Sequence, residues 1–165
     1  IVSSRRVGAV AALATGLLVT LGAARSYSRQ AVWRDNPTLF AQTVVDEPSS
    51  YRAHFVAGRD FVRRGMGDEA VEAFAAAAAL YGQDHRIFEE WGQVLRAAGR
   101  CREAIPIFAR GVAVEPTGTL ARSRLFECLM AERRFPDAAQ VAREGIALGG
   151  TEFTKPLERA LRALP

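Results

Sequence analysis

Apolar and polar positions divide the chain into two unlike patterns. From Val7 to Ala24, "VGAVAALATGLLVTLGAA", 18 residues pass without a charge. A helix of that length reaches roughly 27 Å, enough for a hydrocarbon core. Beyond residue 35 the chain reads as short helical runs with breakers between them, at Gly65-Met66-Gly67 and at Gly99.

The first pattern predicts a membrane helix. Gly8, Ala12 and Gly16, then Thr20 and Ala24, recur every fourth residue and would let a neighbouring helix approach closely. A secretory signal peptide is the competing reading, with Arg5 and Arg6 as its basic start and Gly22-Ala23-Ala24 as its cleavage site. The run exceeds the roughly 7–15 residues of a signal-peptide core. With Ile1 in place of Met at its start, the chain is expected to be the tail of a longer protein.

The second pattern repeats itself. Phe40, Phe74 and Phe108 lie 34 residues apart, with Ala142 next in step. Pro48, Gly82, Pro116 and Gly150 keep the same spacing, as do Ala70, Ala104 and Ala138, and Ala77, Gly111 and Gly145. Phe61, Leu95 and Leu129 stay apolar in register, and Gly58 matches Gly92, whereas Phe126 departs from that glycine. Agreement of independent series on one period marks an array of stacked units.

These residues resemble the tetratricopeptide repeat over about residues 36–150. The resemblance implies an all-α fold, an α-solenoid of helix pairs with small residues where the helices touch. The expected organisation is a transmembrane helix and its flanks in 1–30, a junction and half repeat in 31–50, three repeats in 51–150, and a capping helix in 151–165. Asp68 and Glu69 place acid at a helix start. Pro136 falls in the first turn of its helix, and Pro106 a turn deeper, where a bend is expected. Leu157, Leu161 and Leu164 form one stripe of the cap, which keeps an array soluble.

In this family the first helix of each pair lines a concave groove. The residues expected there are Arg52, Phe55, Val56, Arg59, Val62 and Arg63, then Arg86, Glu89, Glu90, Gln93 and Arg96, then Leu120, Ser123, Arg124, Glu127 and Met130. Such a face suits a protein or peptide partner with acidic groups, since arginine grips carboxylates bidentately. Arg59, Arg96 and Arg124 are expected to make the strongest anion contact. The family's best-known carboxylate clamp is matched here only at Arg124, so that specificity is not expected.

Charge and chemistry narrow the function further. Five arginines and no acid lie in residues 1–34, while the remainder carries 17 basic and 18 acidic residues. The repeats are near neutral, which excludes a nucleic-acid surface. No catalytic, cofactor or metal site is expected. His54 falls on an inner helix face and His85 at a repeat start, neither with a nucleophile or metal-ligand spacing. Cys101 and Cys128 are brought near each other by the repeat geometry, as two free thiols or as a disulfide.

The exit from the apolar run carries a second resemblance. Trp33-Arg34-Asp35, Leu39-Phe40, Pro48, Ser50 and Arg52-Ala53-His54 match, in order, the junction of glycosyltransferase-C-type membrane proteins bearing tetratricopeptide repeats, including transmembrane O-mannosyltransferases. That resemblance implies the C-terminal part of a multi-span protein, with the repeats on the exoplasmic side (periplasm or lumen). Tyr27 and Trp33 would be interfacial anchors. The alternative is a stand-alone anchored or exported scaffold that recruits assembly or secretion partners.

Overall fold

The computed structural model describes residues 15–26 and 43–164. Contacts group the chain into Ile1–Gln42 and Thr43–Pro165, each described by itself. In the first unit residues 15–26 are helical and exposed. Among the described residues no helix is long and apolar enough to cross a membrane. The span expected at 7–24 is described only from residue 15, and residues 7–14 lie outside the described residues, as do Trp33 to Phe40 of the junction.

In the second unit residues 43–46 are helical, followed by a turn. Then come α1 (Tyr51–Arg63), α2 (Gly67–Leu80), α3 (His85–Ala97), α4 (Cys101–Val114), α5 (Thr119–Ala131), α6 (Phe135–Ala147), a 3-10 turn (Thr151–Phe153) and α7 (Thr154–Arg162). Each helix packs against its neighbours in sequence, so α1–α2, α3–α4 and α5–α6 are three stacked pairs and α7 closes the array on α6. This is an all-α repeat solenoid.

The turn inside each pair follows the 34-residue period. Gly65, Gly99 and Arg133 adopt left-handed backbone, with φ of 73°, 74° and 58°. The next amide then folds back onto the helix: Met66 N to Phe61 O at 2.9 Å, Arg100 N to Leu95 O at 2.8 Å, and Arg134 N to Leu129 O at 2.8 Å. These bonds satisfy carbonyls that a helix end leaves free. Glycine takes that conformation without a Cβ penalty, whereas Arg133 takes it at a cost of roughly 1–2 kcal/mol.

Helix starts are sealed in different ways. Ser50 caps α1 by accepting from Ala53 N, and Asp84 caps α3 by accepting from Arg86 N. Both α2 and α4 lack a side-chain cap and instead carry acid in the first turn, Asp68 and Glu69 in one and Glu103 in the other. The α4 helix continues through Pro106, and Pro136 sits in the first turn of α6.

Small residues set how closely the pairs approach. Ala70, Ala104 and Ala138 are wholly buried. Gly58 lies against the ring of Phe74, where a Cβ would stand 2.7 Å from Cε1, and Gly92 lies in the same way against Phe108. In the third pair the sizes are reversed: Phe126 replaces the glycine, Ala142 replaces the phenylalanine, and both are buried in one core cluster. The departure at Phe126 is thus balanced, since cores tolerate exchanges that keep total volume.

Two polar clamps share a register as well. His54 Nε2 donates to the Pro48 carbonyl at 2.9 Å, and Arg122 Nη1 donates to the Pro116 carbonyl at 2.8 Å. His54 is therefore a satisfied structural imidazole. At the cap, Phe153, Ala160 and Leu157 do the packing, while Leu161 and Leu164 are exposed. The expected three-leucine stripe is corrected to that extent: the 3-10 turn swings Phe153 onto the core against Gly145. Cys101 and Cys128 are free thiols. Cys101 packs against the cluster that contains Cys128.

Candidate functional site

Side chains from the first helix of all three pairs line an open groove of about 320 Å³. Phe55 and Arg59 come from α1, Arg86, Glu89, Glu90 and Gln93 from α3, and Leu120 and Arg124 from α5. The buried ring of Phe108 from α4 lies beneath its floor, against Gly92. Sequence reasoning missed Phe108, whose signal was a glycine 16 residues earlier. Apolar Phe55 and Leu120 thus alternate with charged groups along the groove, over the buried Phe108.

The charges are arranged in pairs. Arg86 donates to both oxygens of Asp84, at 2.8 and 2.7 Å, while its guanidinium lies 5.8 Å from the Phe55 ring centre. The hydrogen bonds from Arg86 hold the Asp84 carboxyl below its ordinary range. Arg59 pairs with Glu90 at 3.6 Å. Arg124 and Arg96 share Glu127, at 2.9 and 3.4 Å. Each of Arg59, Arg96 and Arg124 therefore already faces a carboxylate of its own chain, and an acidic ligand would have to share it.

Glu89 differs from these. It has no ion-pair partner among the described residues, and burial pushes its carboxyl above the ordinary range. Of the other expected groove residues, Arg52 rests on Tyr51 and Arg63 pairs with Asp60 at 2.7 Å, so neither lines the groove. His85 faces Glu115 at 2.9 Å. Among the described residues no group of three or more His, Cys, Asp or Glu could hold a metal ion.

Beyond Arg124 the groove gives way to a second recess of about 320 Å³, between α5 and the cap. Ser123, Phe126 and Glu127 form one wall; Glu152, Phe153, Lys155, Pro156 and Arg159 form the other. The Arg159 guanidinium lies 5.1 Å from the centre of the Phe126 ring.

Paired helices on a 34-residue period, with a groove along the first helices, make an all-α solenoid like that of tetratricopeptide repeats. Residues 89–152 match the sequence model of the tetratricopeptide repeat. Solved structures share the fold. MamA (residue 41 to the end) from Desulfovibrio magneticus is 18% identical with a TM-score of 0.58, over 68% of this chain and 65% of that one. The Sgt2 tetratricopeptide domain from Aspergillus fumigatus is 17% identical with a TM-score of 0.56, over 68% and 77%. The Yersinia enterocolitica type III secretion chaperone SycD, solved with a peptide of the translocator YopD, is 18% identical with a TM-score of 0.57, over 67% and 92%. This chain spans less than two thirds of the length of the MamA structure. No curated protein matches the sequence.

Proposed function

We propose that the groove binds an extended segment of a partner protein, making the repeats an interaction module. The observation that carries this is the continuity of the groove: apolar Phe55 and Leu120 and polar Gln93 and Glu89 come from all three repeats and open to one side, over a floor backed by Phe108. Pockets with apolar floors and a few fixed polar groups suit side chains of an extended peptide. The peptide held by SycD is consistent with this use of the fold. The test is to pan a random peptide library against the full chain and measure retained peptides by anisotropy. A Leu120→Glu variant, changed at an exposed groove position, should lose them while melting at the same temperature. Equal affinity for wild type and variant would overturn the reading.

The tether and the parent protein belong to the same proposal. Leu17, Leu18, Val19 and Leu21 are exposed on the helix at 15–26, which supports a bilayer-facing surface. With the junction residues Trp33 to Phe40, it supports a membrane-tethered module beside a glycosyltransferase-like domain, repeats exoplasmic. Resistance to carbonate extraction, and protease access to the repeats only from the exoplasmic side, would be expected of the intact parent protein. Release by carbonate would favour the exported scaffold.

A further inference from the structure

We propose that the recess between α5 and α7 is the acid-binding end of the groove, with Lys155 and Arg159 receiving carboxylates of the bound peptide. The proposal rests on the peptide-groove reading and names where, along that groove, the acidic groups go. Within the groove the arginines are matched by Asp84, Glu90 and Glu127, so a ligand carboxylate meets no free cation there. It meets Glu89 instead. At the cap two acids, Glu127 and Glu152, and two cations share the walls, but the cations are not taken up in pairs. Lys155 and Arg159 stand four residues apart on α7, and neither has a carboxylate partner among the described residues.

Three further features make this a receiving site. Arg159 is stacked on Phe126, which holds the guanidinium in place and leaves its edge N–H groups to pair with a carboxylate in the fork geometry. The first turn of α7 carries no acid, so nothing on that turn competes for Lys155. Glu127, on the shared wall, is already divided between Arg96 and Arg124. The one opposing group is Glu152, at the rim without a basic partner among the described residues.

Groove and recess both use α5 as a wall. Arg124 lines the first and Glu127 the second, joined by hydrogen bonds of 3.1 and 2.9 Å. A peptide lying along α3 and α5 thus passes from Glu89, which has no ion-pair partner among the described residues, to the unpaired Lys155 and Arg159 of the cap. The difference between paired and unpaired cations gives the ligand a direction, acidic end toward α7.

The probe is a fluorescein-labelled heptapeptide with an apolar first half and three aspartates in its second, compared with the same peptide carrying asparagines. The full chain should favour the aspartate peptide by about tenfold at low salt, a preference that falls as ionic strength rises. Lys155→Ala and Arg159→Glu should each remove most of it, and Glu152→Gln should increase it. Lys155→Ala leaves the Arg159–Phe126 stack intact, so its effect is separate from folding. If both peptides bind alike, are lost together in Leu120→Glu, and ignore the cap variants, the acid-binding end is overturned and the groove stands. If neither peptide binds, and the library yields none, both are overturned.

Discussion

Gly92 lies so close to Phe108 that a Cβ on the glycine would stand 2.6 Å from the ring. The ring is buried and hemmed in by the core cluster, so it cannot turn aside. Gly92→Ala gains up to about 1 kcal/mol of helix propensity but overpacks the pair by roughly 1–3 kcal/mol. The expected result is a lower midpoint in urea with an unchanged slope. A higher midpoint would show that the two helices can move apart freely.

The third pair offers the complementary test. Phe126→Gly should cost roughly 3–5 kcal/mol by leaving a cavity, and Ala142→Phe should overpack. The double variant restores the size order of the second pair, Gly92 with Phe108. It should be more stable than the sum of the single changes by about 1–3 kcal/mol in a double-mutant cycle. Additive losses would mean that the two positions do not share one space.

Arg133 is an exposed arginine in the conformation that Gly65 and Gly99 take freely. Arg133→Gly should stabilise the chain by about 0.5–1 kcal/mol, the backbone relief less the extra chain entropy of glycine. Thermal unfolding of the two proteins side by side checks this.

Cys128 is wholly buried, and burial, with help from the neighbouring Cys101 thiol, pushes its thiol up to about 12. At pH 8 a thiol reagent should therefore reach Cys101, which is half-buried, before Cys128. In Cys101→Ser the remaining thiol should react only as fast as the protein opens. A raised thiol pKa means that the folded state keeps a proton the unfolded chain loses. Stability should thus fall as pH rises from the ordinary thiol value toward about 12, more in wild type than in Cys128→Ala.

Period was the most legible property of the sequence, because Gly, Pro and Ala at fixed intervals encode turns and contacts one residue at a time. It placed the helix pairs, the turn at Gly99 and the groove positions Phe55, Arg59, Arg86, Gln93 and Arg124. It did not show who pairs with whom. Arg96 and Arg124 sharing Glu127, or Asp84 holding Arg86, depend on side-chain directions that spacing leaves open. Phe108 was hidden because it belongs to a second helix and lies beneath the groove floor, against Gly92. Leu161 and Leu164 misled because a regular stripe does not reveal that Phe153 has already filled the space beneath.

The reversal of sizes at Phe126 and Ala142 also governs how such an array can grow. Gly58 with Phe74 and Gly92 with Phe108 are interchangeable joints, so a duplicated unit could be spliced between them and would find matching faces on both sides. The third unit is no longer exchangeable with either. Carrying its aromatic on the first helix, it offers Arg159 a ring to lie on, and so ties the terminal helix to this unit alone. The two kinds of joint thus give the array a direction: units of the first kind fit one another, and the third turns its aromatic toward Arg159 instead.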